Sequence, residues 1–278
     1  METVSNLSMD VKNTMPHILE SWRESSLPRF SDYRPNENIF LETANYILKT
    51  AVSMDELLNV FRLRYENFLE HVKGEDAEAY DLDRFDHLCD HLIIINKESS
   101  EVVGTYRVLC SLYTEEFDSE GEFELKEFLS SEGVKIELGR ACIDPDFRNG
   151  NVIDLLWKGI AEYINLTNAS YLFGCSSIST VSTQTALDIY TFMSQKGYCE
   201  EAFNIKPTSD FMMSFKGLEA SEDKEVKKLI PSLLRSYITA GSKVVGAPAL
   251  DQDFACIDFL TVLEIEKLSP LFRKRYFR

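Results

Sequence analysis

The sequence predicts a mixed α/β fold. Three observations carry that expectation. Apolar runs of strand length alternate with amphipathic stretches of helix length; two of the runs, 91–96 and 102–111, are joined by a short polar turn, as in a hairpin. Third, a strand, a Gly/Asn-rich loop and an amphipathic helix follow one another through ELGRACIDPDFRNGNVIDLLW at 137–157.

Residues 1–40 are polar, carry three prolines and show no sustained period, so they read as an N-terminal arm; 41–278 read as one domain with a C-terminal extension. Tyr46 to Val52 is a strand. Ser53 and Glu56 form a capping box that starts a helix through Leu57, Phe61, Tyr65 and Phe68. Asp81 to Asp86 is an acidic loop, followed by the hairpin strands His91 to Asn96 and Val102 to Ser111. Leu125 to Ser130 is a short helix and Lys135 to Ile143 the next strand. In the helix behind Arg148, Val152, Leu155, Leu156, Gly159 and Ile160 fall near one side, which predicts packing on a sheet. Asn151, with Asp154 three residues on, is expected to cap that helix, leaving the amides of 149–153 facing outward at its positive end. Such an end binds phosphate. Tyr171 to Ser176 reads as a strand, Thr183 to Lys196 as a helix stopped by Gly197, and Asp210 to Phe215 as a further strand. A helix spans Pro231 to Gly241, and Ala255 to Ile265 alternates as a strand before a basic tail.

With 44% apolar and 12% aromatic residues among 278, the chain can bury a full core. No run approaches the roughly 20 apolar residues of a spanning helix, and the first 30 residues lack the pattern of a secretion signal. A cytoplasmic protein is expected, with at most peripheral contact to the inner face of a membrane. Six scattered cysteines without paired spacing read as buried, reduced thiols. A net charge of -17 argues against nucleic acid as a partner. The last twelve residues are the exception: Lys267, Arg273, Lys274, Arg275 and Arg278 have no acidic neighbour and are interleaved with Leu268, Leu271, Phe272, Tyr276 and Phe277. They fit a helix whose cations complement its dipole, or a surface that docks an acidic carrier protein or an anionic membrane.

Glu137 and Arg140 are the first candidates for chemistry. In a regular strand they would face opposite ways, being three apart; a bulge at Gly139 would bring them to one side. Glu137 could then accept a proton from an attacking amine, and Arg140 or a freed backbone amide could meet an oxyanion. An internal ion pair between the two is the structural alternative. A second constellation comprises Arg62, Arg64, Asp81, Asp83, Asp86 and Arg107; an arginine within the apolar run 102–112 needs carboxylate partners, and a polar pocket for an amino acid is the functional reading. His87, Cys89 and His91 alternate as metal ligands could, but a fourth ligand is wanting and no metal is expected. Neither a P-loop, a nucleophile elbow nor a dinucleotide fingerprint occurs.

The run ELGRACIDPDFRNGNVIDLLWKGIAEYI, then YLFGCSSI and LIPSLLRSYITAGSKVVGAPALDQDFACIDFLTVL, with DLDRFDHLCDHL and VVGTYRVL before them, resembles the ornithine lipid-synthesising N-acyltransferases of the GNAT superfamily over about residues 45–278. The resemblance implies a GNAT-like central twisted mixed sheet flanked by helices. It also implies transfer of a long, often 3-hydroxylated acyl chain from acyl carrier protein to the α-amine of an amino acid such as ornithine, giving a lyso-aminolipid without a bound cofactor. The same skeleton is similar to acyl-homoserine lactone synthases, whose site pattern falls on Arg64, Phe68, Asp83, Asp86 and Arg107 for the substrate and on Glu137 and Arg140 for catalysis. The donor would lie against Arg148, Asn149, Gly150 and Asn151, where the superfamily's glycines are reduced to Gly150; this favours carrier-bound pantetheine over coenzyme A. A signal synthase of the acyl-homoserine lactone type, or a non-catalytic module that binds a carrier or lipid, are the alternatives.

Overall fold

The computed structural model describes residues 30, 33–70, 74, 79–221 and 226–277. Its elements run β1 (Phe40–Glu42), β2 (Tyr46–Thr50), α1 (Met54–Phe68), β3 (Asp90–Asn96), β4 (Val102–Cys110), α2 (Lys126–Ser130), β5 (Lys135–Ile143), α3 (Asn151–Thr167), β6 (Tyr171–Ile178), α4 (Thr183–Gln195), β7 (Cys199–Glu200), α5 (Val226–Leu229), α6 (Ser232–Ala240), β8 (Lys243–Val245), β9 (Ala249–Asp251), β10 (Cys256–Glu264) and α7 (Pro270–Tyr276). The mixed α/β class expected from the sequence holds. One sheet is ordered β1-β2-β3-β4-β5-β6-β10-β8-β7, with β9 beside β10; β5–β6 and β7–β8 are parallel and the other pairs antiparallel. This is a GNAT-like arrangement.

Helix α3 crosses from the end of β5 back to β6, as a parallel pair requires. Val152, Leu156 and Ile160 lie on its sheet-facing side at 0%, 0% and 1% exposure, and each such side chain contributes roughly 1.5–3 kcal/mol by burial. Against the opposite face of the sheet, Phe117, Phe123, Phe128 and Phe173 build a second core.

Two irregularities shape the middle of the sheet. The pairing of β4 with β5 steps from Thr105↔Cys142 to Arg107↔Gly139, so β5 carries one residue too many opposite Tyr106. Arg140 takes up the kink in left-handed backbone at φ 46°, one residue beyond the glycine expected to do so. The β5–β6 pair covers only Lys135 to Glu137 against Tyr171 to Phe173, although both strands run on. At Gly174 a Cβ would meet the Leu138 carbonyl at 2.2 Å, so glycine permits the last close approach before the strands part.

Several expectations need correction. Asp210 to Phe215 is not a strand: only Met212 bridges to Ala249, and that methionine is 57% exposed, with no second neighbour to complete a ladder. The cap of α3 is Gly150, at φ 92°, rather than Asn151. Asn149 Oδ1 accepts the Asn151 N–H at 3.0 Å, while Asp154 is taken up by Lys158, Arg275 and Tyr276. The capping box of α1 is shifted by one residue: Ser53 accepts from the Glu56 amide, but the Glu56 carboxylate accepts from Val52 and pairs with Lys49. Most of the N-terminal arm lies outside the described residues. Where it is described the arm packs: Tyr33 is buried with its hydroxyl donating to the Cys89 carbonyl at 3.1 Å, and Ile39 enters the core. The short strands β1, β7, β8 and β9 carry too few residues for a period to show.

Candidate active site

Arg64 extends from α1 into the interior and is fully buried. Its Nε donates to Asp81 at 2.8 Å, and Nη1 and Nη2 donate to Asp86 at 2.6 and 3.2 Å. Arg107, on β4, reaches Asp83 at 2.6 Å, Asp86 at 3.5 Å and Asp118. Arg140, turned by the bulge, completes the set with Asp81 at 3.3 Å and Asp83 and Asp118 at 3.1 Å each. Three guanidiniums thus share four carboxylates. Burial alone would raise the Asp86 pKa, yet Arg64 and Arg107 outweigh it and hold that carboxyl below the usual range; Arg107 and Arg140 do the same for Asp118. Arg62 stands apart, pairing with exposed Glu66, and half-buried Phe68 packs in the apolar cluster of Phe30, Phe61 and Ile93.

The bulge brings Glu137 and Arg140 to one side, where both meet Asp118, but they form no pair with each other. Glu137 is 3% exposed and does not stand free in a cleft. It accepts the Asp118 amide at 2.8 Å, the Ser119 amide at 2.7 Å and the Ser119 hydroxyl, and so holds the 3-10 turn Asp118–Gly121. Burial, then the nearby Asp118 charge, pushes its pKa up to about 7 against the pull of the Ser119 hydrogen bonds. Beyond Ser119 the contacts continue: the Cys175 thiol lies 3.4 Å from the Ser119 hydroxyl and 3.8 Å from a Glu122 oxygen.

Glu122 opens a group that the sequence reading missed. Glu122, Cys175 and Asp258 bring their ligand atoms within 4.8 Å of one another, and so do Asp251, Cys256 and Asp258. These thiols and carboxylates are the residues that could hold a metal ion or another cation. Among the described residues no lysine or arginine pairs with Glu122, Asp251 or Asp258; the ion pairs of Arg140 go to the other set of aspartates. Burial, then Asp258 and Asp251, pushes Glu122 up to about 9, and burial raises Asp258 as well. Asp258 accepts from Ser177 at 2.6 Å and from the Cys256 thiol at 3.2 Å. Phe254 lies over the Arg140 guanidinium at 4.9 Å and so joins the two groups. One signal was present in the sequence: an aspartate in the middle of CIDFLTVL, a run otherwise fit for the core.

The residues expected to hold the donor are engaged elsewhere. Arg148 donates to the Ile143 carbonyl at 3.0 Å and to Asn67 at 2.6 Å, tying its loop to α1. Asn149, Gly150 and Asn151 form the entry to α3, with the Asn149 side chain on the Asn151 amide. A narrow crevice of about 10 Å³, room for a single water, lies past the Gly174 contact, among Leu138, Trp157, Leu172, Tyr237 and Leu263. The larger cleft, about 750 Å³ among Glu127, Tyr190, Phe203, Asn204 and Gly246, shares no residue with either charged group. Of the expected alternation His87, Cys89 and His91, His87 drops out because residues 84–88 form turns and leave it exposed; Cys89 and His91 are buried with their ligand atoms 3.6 Å apart and, with Asp86, within 4.8 Å of one another, and His91 Nε2 lies 2.9 Å from the Asp86 carbonyl.

Residues 63–158 match the family model of the acetyltransferase (GNAT) domain. The chain is a homologue of two proteins named L-ornithine N(alpha)-acyltransferase. That of Rhizobium meliloti (strain 1021) is 29% identical over 259 residues, covering 87% of this chain and 88% of that protein. That of Brucella abortus (strain 2308) is 28% identical over 232 residues, covering 77% and 82%. Among solved structures, the AHL synthase LasI covers 84% of this chain and 96% of its own at 13% identity and a TM-score of 0.48. No helix among the described residues is long and apolar enough to cross a membrane.

Proposed function

We propose that this GNAT-like homologue of the ornithine acyltransferases is an N-acyltransferase that moves a long, 3-hydroxylated or plain acyl chain from a carrier-borne pantetheine thioester to the α-amine of an amino acid with a cationic side chain, ornithine foremost. The observation that carries the reading is the carboxylate group Glu122, Asp251 and Asp258, which holds no ion pair among the described residues, lies near Arg140 and is linked to Glu137 through the Cys175 thiol and the Ser119 hydroxyl. Four carboxylates around three arginines explain themselves; buried Asp258 with half-buried Glu122 and Asp251, to which Arg140 lends only an outlying charge, calls for a further cation from outside. In this reading the acceptor's carboxylate sits on the exposed edge of Arg140, and its side-chain ammonium enters the group around Glu122.

The α-amine then lies near Ser119, and the thioester carbonyl at the parting of β5 and β6. The amine nitrogen bonds to the carbonyl carbon, and the oxyanion meets backbone amides of the unpaired strand edges. The amine proton passes to the Ser119 oxygen while the Ser119 proton passes to Glu137, whose pKa of about 7 suits that transfer near neutral pH. Collapse breaks the C–S bond and the pantetheine thiolate leaves. The fatty chain follows the crevice lined by Leu138, Leu172 and Leu263, widening it by displacement of Trp157 and Tyr237. Carrier-borne pantetheine is favoured over coenzyme A because Arg148 and the Asn151 amide at the entry to α3, parts of the natural diphosphate cradle, are already bonded within the chain.

The test is thiol release by the purified chain from 3-hydroxyacyl carrier protein with ornithine, lysine, glutamine or glycine, the product being weighed by mass spectrometry. Ornithine and lysine should exceed the neutral amino acids by about tenfold or more, the scale of a desolvated ion contact. Equal rates would overturn the acceptor assignment, and no release with any amine would leave a binding module. S-adenosylmethionine belongs in the panel, since the same carboxylates suit its sulfonium, and turnover with it would move the reading to a signal synthase.

A further inference from the structure

We infer that the outward face of α7, Leu271 and Lys274 with Lys158 and Arg275 beside them, is the docking surface for an acidic acyl-carrier protein. The inference rests on the carrier-borne donor proposed above and names where that carrier sits. The chain carries -17 overall, yet its last twelve residues hold five cations and no acid. Phe272 and Tyr276, one helical turn apart, face inward onto Trp157 of α3, with ring centroids at 5.0 and 6.1 Å. Arg275 and the Tyr276 hydroxyl reach Asp154, in the first turn of α3, at 2.6 and 3.0 Å. The helix is therefore fastened at the end of α3 that adjoins the 148–151 loop, behind the indole that lines the crevice.

What remains outward is unusual for a solvated helix. Leu271 is 69% exposed, and Lys274 follows it by one turn on the same side. The flanking side chains of Arg275 and Lys158 are 61% and 40% exposed. Dipole compensation accounts for cations at the C-terminal end of α7 but not for an exposed leucine among them. Leu271 with Lys274 one turn on, flanked by Arg275 and Lys158 that share the single charge of Asp154, matches an acidic helix with one apolar socket. Charge also separates a carrier from a lipid surface. A broad anionic bilayer would face the acidic remainder of the chain, whereas a small carrier meets only the local patch, within a screening length of about 8 Å. One leucine is also too little apolar area to hold a membrane.

The experiment compares the intact chain with the double variant Leu271→Ser, Lys274→Glu, using acyl-carrier protein and, in parallel, the same acyl group on free pantetheine. The expected result is a loss of about tenfold or more in kcat/KM for the carrier, mostly through KM, with unchanged turnover of the pantetheine thioester and an unchanged melting transition. Added salt should erode the wild-type advantage and leave the variant flat. Equal carrier kinetics for variant and wild type would overturn the inference, and so would an equal loss with both donors. Binding of phosphatidylglycerol vesicles lost in the variant, with carrier kinetics intact, would assign the patch to lipid instead. If the wild type turns over neither donor, the proposed function fails on its own, and direct titration with the carrier decides the docking: binding lost in the variant supports it, and no difference sinks it.

Discussion

Two buried charged regions share one side of the sheet and obey opposite logic. Around Arg64, Arg107 and Arg140 every guanidinium meets two or three carboxylates, and Asp86 and Asp118 are held below the usual range because the cations outweigh burial. Around Glu122 and Asp258 burial outweighs the nearby cation Arg140, whose ion pairs go to the other aspartates, and both carboxyl groups are pushed up. The first region is complete as it stands and fixes α1, β4, β5 and the acidic loop to one another. In the proposed reading the second is completed by a cation from outside. Balanced buried charge is read as architecture, and unbalanced buried charge beside it as a binding site.

The sharpest way to break the comparison is to unbalance the balanced side. Arg64→Met leaves Asp81 and Asp86 buried without their main partner and should cost about 3–5 kcal/mol, read as an earlier midpoint in urea unfolding. A loss under 1 kcal/mol would deny the network its structural role. Next in size is the relay: Ser119→Ala, which keeps the backbone amides on Glu137, should slow turnover about 100-fold with the acceptor KM little changed. An unchanged rate would remove Ser119 and Glu137 from the proton path. Leu172→Trp, which fills the crevice, should cost long-chain donors about tenfold and spare short ones, measured as kcat/KM over a chain-length series. Glu122→Gln should raise the KM for ornithine about tenfold and leave glycine unaffected, so that the two acceptors converge.

The smallest effect separates the regions by pH alone. A carboxyl whose folded pKa is raised contributes stability that is full below its unfolded value of 4.5 and is lost as pH rises through the folded one. For Glu122 that window runs from about 4.5 to about 9. The apo protein should therefore lose melting temperature across this range, and Glu122→Gln should lose less of it. The balanced carboxylates have the reverse sign, since Asp86 and Asp118 contribute above their unfolded pKa and lose that contribution only in acid. Bound ornithine should flatten the alkaline fall, because its ammonium replaces the protons.

The long elements were legible because their periods are long enough to read. The bounds expected for the β5 strand are those found, and the helix behind Arg148 packs through the residues its stripe named. The bulge was legible in kind from the spacing of Glu137 and Arg140, although glycine was the wrong residue to blame; an arginine accepts left-handed backbone here because three carboxylates hold its far end. The acidic loop was correctly paired with Arg107. Illegible were Ser119 and Glu122, in a stretch with no period, and Asp251; Asp258 showed as an aspartate within an apolar run, but its partners did not, because contacts across a sheet leave no local trace. The capture of Asp154 by Arg275 was hidden for the same reason.

The extra residue in β5 carries a consequence for parity. Up to Leu138 the strand's odd positions face the chemistry, and after the insertion the count is inverted, so an odd spacing between Glu137 and Arg140 behaves as an even one. Excising Ala141 would let β4 and β5 pair without interruption but would set the arginine opposite Tyr106, toward the apolar core under α3. Asp81, Asp83 and Asp118 would each lose a partner, so the more regular strand pairing would come at a loss of stability and of the proposed grip on an acceptor's carboxylate.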